Sequence, residues 1–153
     1  IHHGLQDKLY LGNINSRRDW GHARDYVEGM WLMLQKDVAG DYVLATGEDH
    51  SVRDFVQIAF EMVGRPIEWE GMGVEEKGID RKTGRAIIEI DPRYYRPAEV
   101  NALVGNASKA RDELGWVHKT SFGDLVTEMV EADMKRVAYG AGRSALANGL
   151  SAR

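Results

Sequence analysis

"DYVLATG", residues 41–47, is the stretch whose reading decides the fold. It is a short apolar run closed by Gly40 and Gly47, the pattern of a strand covered on both faces. Few other segments of the chain can serve as its neighbours, so the run is expected to join a sheet whose remaining strands lie elsewhere. Ahead of it, Ala23, Tyr26, Val27, Met30, Trp31 and Leu34 recur at three- and four-residue spacing, which predicts a helix over 22–35 with one apolar face. Behind it, Ser51 stands at an N-cap position with Asp54 three residues on. Val52, Phe55, Val56, Ala59 and Val63 then stripe a second helix, which Gly64 and Pro66 stop.

Further out the signals are shorter. Leu9 to Leu11 reads as a strand followed by the turn-forming "GNINS". "IEWEG" (67–71) is strand-like, and "GIDRKTGRAIIEID" (78–91) reads as two extended pieces around Lys82, Thr83 and Gly84. Ser108 to Leu114 makes a short helix ended by Gly115, and Ser121 caps a longer one carrying Phe122, Leu125, Val126, Met129 and Val130. After Tyr139 the composition turns to Gly, Ala and Ser, which predicts a loose tail. Strands alternating with helices make the class α/β.

Composition narrows the function. The 153 residues are 43% hydrophobic and 29% charged, ordinary for a globular chain, and the net charge of −4 supplies no basic footprint for nucleic acid. There is no cysteine, hence no disulfide and no thiolate nucleophile, and no apolar run long enough to span a bilayer. A cytoplasmic protein is expected. His2 and His3 are adjacent and so point apart on a helix, His22, His50 and His118 are scattered, and no metal site is predicted; "GVEEKG" (73–78) reads as a solvated acidic face.

Two arginines stand where elements end: Arg18 in "RRDW" (17–20) and Arg96 in "YYRPAEV" (94–100). Guanidinium groups present paired planar donors that match phosphate oxygens, so two of them from distant segments can clamp a diphosphate. The plainer alternative pairs Arg18 with Asp19 and Arg96 with Glu99 on the surface, where such pairs contribute about 0–1 kcal/mol. Glu99 either accepts hydrogen bonds from a sugar hydroxyl or purine amine, or simply orients Arg96. Tyr94 and Tyr95 either stack on a base or fill core, with at least one of them expected in the core. A dinucleotide has no evident seat. "GMGVEE" (71–76) has Glu76 where a fingerprint's last glycine belongs, and no tyrosine is followed by lysine four residues later.

"LYLGNINSRRDWGHARDYVEGMWLMLQ", "DYVLATGEDHSVRDFV" and "DPRYYRPAEVNALVGNASKARDELGW" together resemble the carboxyl-terminal half of the GDP-mannose 4,6-dehydratases, extended short-chain dehydrogenase/reductases, over about residues 1–136. The resemblance implies the substrate-binding portion of a Rossmann-type enzyme with its main parallel sheet largely missing. Residues 1–139 would bind the GDP-sugar, 41–47 would be a strand of the missing sheet, and 140–153 a flexible tail. It implies a lyase that converts GDP-mannose to GDP-4-dehydro-6-deoxymannose and water, a homo-oligomer when full length. NADP and the catalytic Thr or Ser, Glu and Tyr-x-x-x-Lys set would belong to the amino-terminal half, leaving no catalytic residue here. Position by position, it makes Arg18 and Arg96 grips on the GDP phosphates and ribose, and Glu99 a carboxylate beside the ribose hydroxyls. Gly12 and Asn13 would lie on the strand that passes the nucleotide. The alternatives are the corresponding half of another nucleotide-sugar enzyme, such as a uridine-sugar epimerase, or a non-catalytic module that pairs through an exposed strand edge.

Overall fold

The computed structural model describes residues 1–100 and 102–150. Its elements follow in the order β1 (Leu9–Leu11), β2 (Arg17–Arg18), α1 (Ala23–Leu34), β3 (His50–Ser51), α2 (Val52–Met62), β4 (Ile67–Glu70), β5 (Lys77–Asp80), β6 (Arg85–Ile90), β7 (Ala102–Leu103), α3 (Ser108–Leu114) and α4 (Phe122–Leu150). One sheet is ordered β1-β6-β5-β4 and a smaller one β3-β2-β7.

The larger sheet grows from local signals. β4, β5 and β6 form an antiparallel meander, with β5 and β6 joined through the turn at 81–84. β1 then adds in parallel from far away in sequence, Leu9 opposite Ile88 and Leu11 opposite Ile90. The apolar stripe of α2 closes over the sheet, so that Val56, Ile67, Ile87 and the fully buried Ile88 make the core, flanked by Leu9, Leu11, Val52, Phe60 and Trp69. α2 starts where predicted. The Ser51 hydroxyl accepts from Asp54 N at 3.0 Å and the Asp54 carboxylate accepts from Ser51 N at 2.8 Å, a reciprocal cap. α4 is capped by Ser121, whose hydroxyl accepts from Asp124 N at 3.1 Å and donates to Asp124 Oδ2 at 2.6 Å, and it packs on α2, with Val126 fully buried.

The smaller sheet is only two residues deep, but it brings three remote segments together. Arg17 and Arg18 pair antiparallel with Ser51 and His50 on one side and parallel with Ala102 and Leu103 on the other. This places the two arginine-bearing loops side by side.

Three segments are shaped by more than their local pattern. Residues 41–47 carry no strand ladder among the described residues. Leu44 instead seats on α1 at Gly29, where a Cβ would lie 2.6 Å from Leu44 Cδ1; Ala45 is buried, and Val43 is 54% exposed. Without a neighbouring strand, an extended run satisfies its backbone otherwise and covers one face only. The apolar face of α1 is likewise not core: Val27, Met30, Trp31 and Leu34 are all exposed, while Asp25 and Gly29 are its buried residues. Finally, α4 continues as helix through Leu150, across most of the stretch whose composition suggested a loose tail, because alanine is the strongest helix former. Residues 151–153 of that tail lie outside the described residues. No described helix is long and apolar enough to cross a membrane.

Carboxylates tie these pieces together. Burial pushes the pKa of Asp25 up, but the N–H groups of Thr120 and Lys119 donate to Oδ2 at 2.9 and 3.0 Å and hold it below the ordinary value. In Asp54 burial is likewise outweighed, by Ser51 N–H and hydroxyl. A carboxylate with a lowered folded pKa contributes stability that is fully present above its unfolded pKa and is lost as pH falls through the folded one. The melting temperature is therefore expected to stay level from neutrality to about pH 5 and to drop steeply below about pH 4. Thermal unfolding followed from pH 7 to pH 3 checks this, and an unchanged melting temperature at pH 3 would contradict it.

Candidate functional site

The ends of β1 and β2 and the segment after β6 line two adjoining clefts of about 170 and 390 Å³. Gly12, Asn13, Ser16, Arg96 and Glu99 are common to both. All five residues singled out from the sequence thus meet here: Arg18, Arg96, Glu99, Gly12 and Asn13.

Glu99 is the hub. Arg18 Nη2 donates to Glu99 Oε1, and Arg96 Nη1 lies 3.8 Å from Oε2. The surface pair of Arg18 with Asp19 is not the one formed. Asp19 turns away to accept from Thr46 N and Oγ1 at 2.9 and 2.7 Å, from Gly47 N at 3.0 Å and from Gly105 N at 3.3 Å. Burial alone would raise the Asp19 pKa, and these donors outweigh it and hold it low. That leaves Arg18 free for the cleft, where its Nη1 is fixed by the carbonyls of Arg17 at 2.7 Å and Val100 at 2.8 Å. The Arg18 side chain is 30% exposed and that of Arg96 80%, so one guanidinium is fixed in the wall and the other faces solvent across it.

Asn13 sits just past β1, and both ends of its amide are committed. Oδ1 accepts from Arg96 N at 2.7 Å and Nδ2 donates to Arg96 O at 2.9 Å. It is a positioning residue that holds the backbone of Arg96 beside Pro97. Gly12 is required by the same approach, because a Cβ there would lie 2.8 Å from the Tyr94 carbonyl carbon, and closer still to its oxygen.

Neither tyrosine fills core. The N–H groups of Tyr94 and Tyr95 both bond Asp91 O, which bends the chain off the end of β6 and over the clefts. Tyr94 is exposed and lines the larger cleft; Tyr95 is half-buried and lines the smaller. Arg93 is engaged by Asp91 at 2.6 Å, and Arg17 by Asp49 at 2.7 Å.

Sequence reading missed one group. Glu76, read as part of a solvated face, is 7% exposed, lines the smaller cleft, and pairs with Arg53 at 2.6 Å. Arg53 also donates to Asn15 Oδ1 from Nε at 3.1 Å and Nη2 at 2.8 Å. The only local hint was the glycine on each side of the acidic pair, which allows a turn to aim a side chain inward.

Residues 71–76 do not have the shape of a dinucleotide fingerprint. Residues 71–76 form a turn with one 3-10 helical segment, Gly73–Glu75, linking the antiparallel β4 and β5 rather than joining a parallel strand to a helix. Among the described residues no three His, Cys, Asp or Glu side chains gather as metal ligands.

The fold of this chain recurs in solved nucleotide-sugar enzymes. UDP-glucose 4-epimerase from Bifidobacterium longum, solved with NAD+ and UDP, superposes with a TM-score of 0.64 at 21% identity over 88% of this chain and 37% of that one. The fold is therefore α/β, the same as that of a portion of this epimerase. Residues 1–129 match the family described as GDP-mannose 4,6 dehydratase, and the chain belongs to that family. It is 59% identical over 131 residues to the GDP-mannose 4,6-dehydratase of Sinorhizobium fredii, covering 86% of this chain and 37% of the relative. It is 53% identical over 137 residues to that of Dictyostelium discoideum, covering 90% and 38%. The chain thus spans between a third and two fifths of the length of these curated relatives.

Proposed function

We propose that the chain is the GDP-sugar-binding portion of a GDP-mannose 4,6-dehydratase, the lyase that converts GDP-mannose to GDP-4-dehydro-6-deoxymannose and water. The observation that carries this reading is the meeting of Arg18 and Arg96 at Glu99, on the rim of one cleft. Two guanidinium groups are an excess of positive charge over a single carboxylate, so the cleft has cationic capacity left for a diphosphate. Glu99, oriented by Arg18, accepts hydrogen bonds from ribose hydroxyls. Asn13 and Gly12 hold the 94–97 segment at the distance this requires. The chain's residues bind and orient; nicotinamide redox chemistry, with NADP as the cofactor, belongs to a Rossmann portion of the enzyme, together with the acid–base residues.

Isothermal titration of the chain with GDP tests the reading. Arg96→Ala is expected to weaken GDP about 10- to 100-fold, the range for a hydrogen bond to a charged group, with thermal stability unchanged because that side chain is exposed. UDP should bind more weakly than GDP. Unchanged affinity in the Arg96 variant would make the clamp wrong.

A further inference from the structure

We infer that Asn15 and Glu76, both oriented by Arg53, form a purine-reading edge that selects guanine over adenine. The inference rests on the cleft being a nucleoside diphosphate site. A guanidinium can only donate, so Asn15 must turn its oxygen toward Arg53, which leaves its NH2 group as the outward donor. Glu76 meets Arg53 through Oε1 at 2.6 Å, so its second carboxylate oxygen is the one left to face a ligand. Both side chains line the smaller cleft, next to Arg96 and Glu99. One wall therefore offers an amide donor and a buried carboxylate acceptor.

That order is chemically specific. Guanine presents O6, an acceptor, next to N1–H, a donor, with the N2 amine beyond. Adenine reverses it, with the N6 amine next to an unprotonated N1. Guanine can give O6 to the Asn15 amide while N1–H, and the amine after it, donate to Glu76. Adenine in the same place would set amine against amide NH2 and a lone pair against the carboxylate, so neither contact would make a hydrogen bond. Arg53 itself is fixed: its backbone N–H donates to Ile14 O at 2.9 Å and its guanidinium lies 4.5 Å above the Trp69 ring. The edge is set before any base arrives.

The test is titration of the 153-residue chain with GDP and with ADP. GDP is expected to bind at least about tenfold more tightly. Glu76→Gln, whose amide oxygen would turn to Arg53 and its NH2 to guanine N1–H, is expected to bring the two affinities within about threefold by weakening GDP alone. A purely structural loss would weaken both nucleotides equally. Asn15→Ala, at an exposed position, should reduce the same preference and remains informative if the Glu76 variant does not fold. Equal affinity for GDP and ADP in the unaltered chain, or a preference untouched by both substitutions, would overturn the inference. Binding of neither nucleotide would instead overturn the nucleotide reading of the cleft on which it rests.

Discussion

Asp80→Ala is expected to destabilise the fold by about 3–5 kcal/mol, the cost of breaking a buried charge pair by removing one partner. Asp80 is fully buried at the end of β5 and both of its oxygens are used. Oδ2 accepts from Arg65 Nε and Nη2 at 3.0 and 2.8 Å and from Thr83 Oγ1 at 3.1 Å, and Oδ1 accepts from Lys82 N at 2.9 Å. One carboxylate thus closes the β5–β6 turn and ties it to the segment leaving α2. Burial raises its pKa, but Arg65 and the turn donors outweigh it and keep the group ionised. Alanine leaves the Arg65 charge, the Lys82 N–H and the Thr83 hydroxyl without an acceptor. Asp80→Asn keeps the shape and one acceptor, and should lose roughly half as much. Urea unfolding of the three proteins measures the effect; a midpoint for the alanine variant equal to that of the unaltered chain would refute it.

Gly12→Val should abolish nucleotide binding and also destabilise the chain, by about 1–3 kcal/mol or more. The branch would run into the Tyr94 carbonyl, and the obstacle is backbone rather than a flexible side-chain end, so it cannot rotate aside. The segment 94–97 must lift, and with it go the Asn13 bonds to the Arg96 backbone and the approach of Arg96 to Glu99. The result separates a positioning role from a contact role, because Gly12 offers no side chain to the ligand. Titration with GDP alongside a melting curve is the measurement. A variant that melts lower yet binds GDP as before would show that the 94–97 segment does not have to sit against β1 for the cleft to work.

Much of the site was legible because its chemistry is carried by residue types that have few other uses. A pair of arginines at element ends, one locked against a proline and followed by a carboxylate, is already a statement about anions. What the residues could not disclose was which partner each would take. Arg18 has Asp19 beside it in sequence and Glu99 far away, and the remote one is chosen because the Asp19 carboxylate is claimed by Thr46, Gly47 and Gly105. Glu76 was misread for the same reason, since an acidic pair between glycines looks solvated until a specific arginine from another element is seen against it.

The amino-acid sequence by itself determined the local events. α2 follows Ser51, α4 follows Ser121, β5 reverses into β6 through residues 81–84, and Ala23–Leu34 is a helix, because caps, turns and helical periodicity depend on interactions within a few residues. Only the tertiary structure decided where faces go. β1 pairs with β6, Arg18 meets Glu99, the α1 stripe stays exposed and 41–47 has no strand beside it among the described residues. An apolar period says that a surface seeks cover, but the cover is supplied by segments distant in sequence. Which segment arrives depends on loop closure and on competition for a limited set of partners.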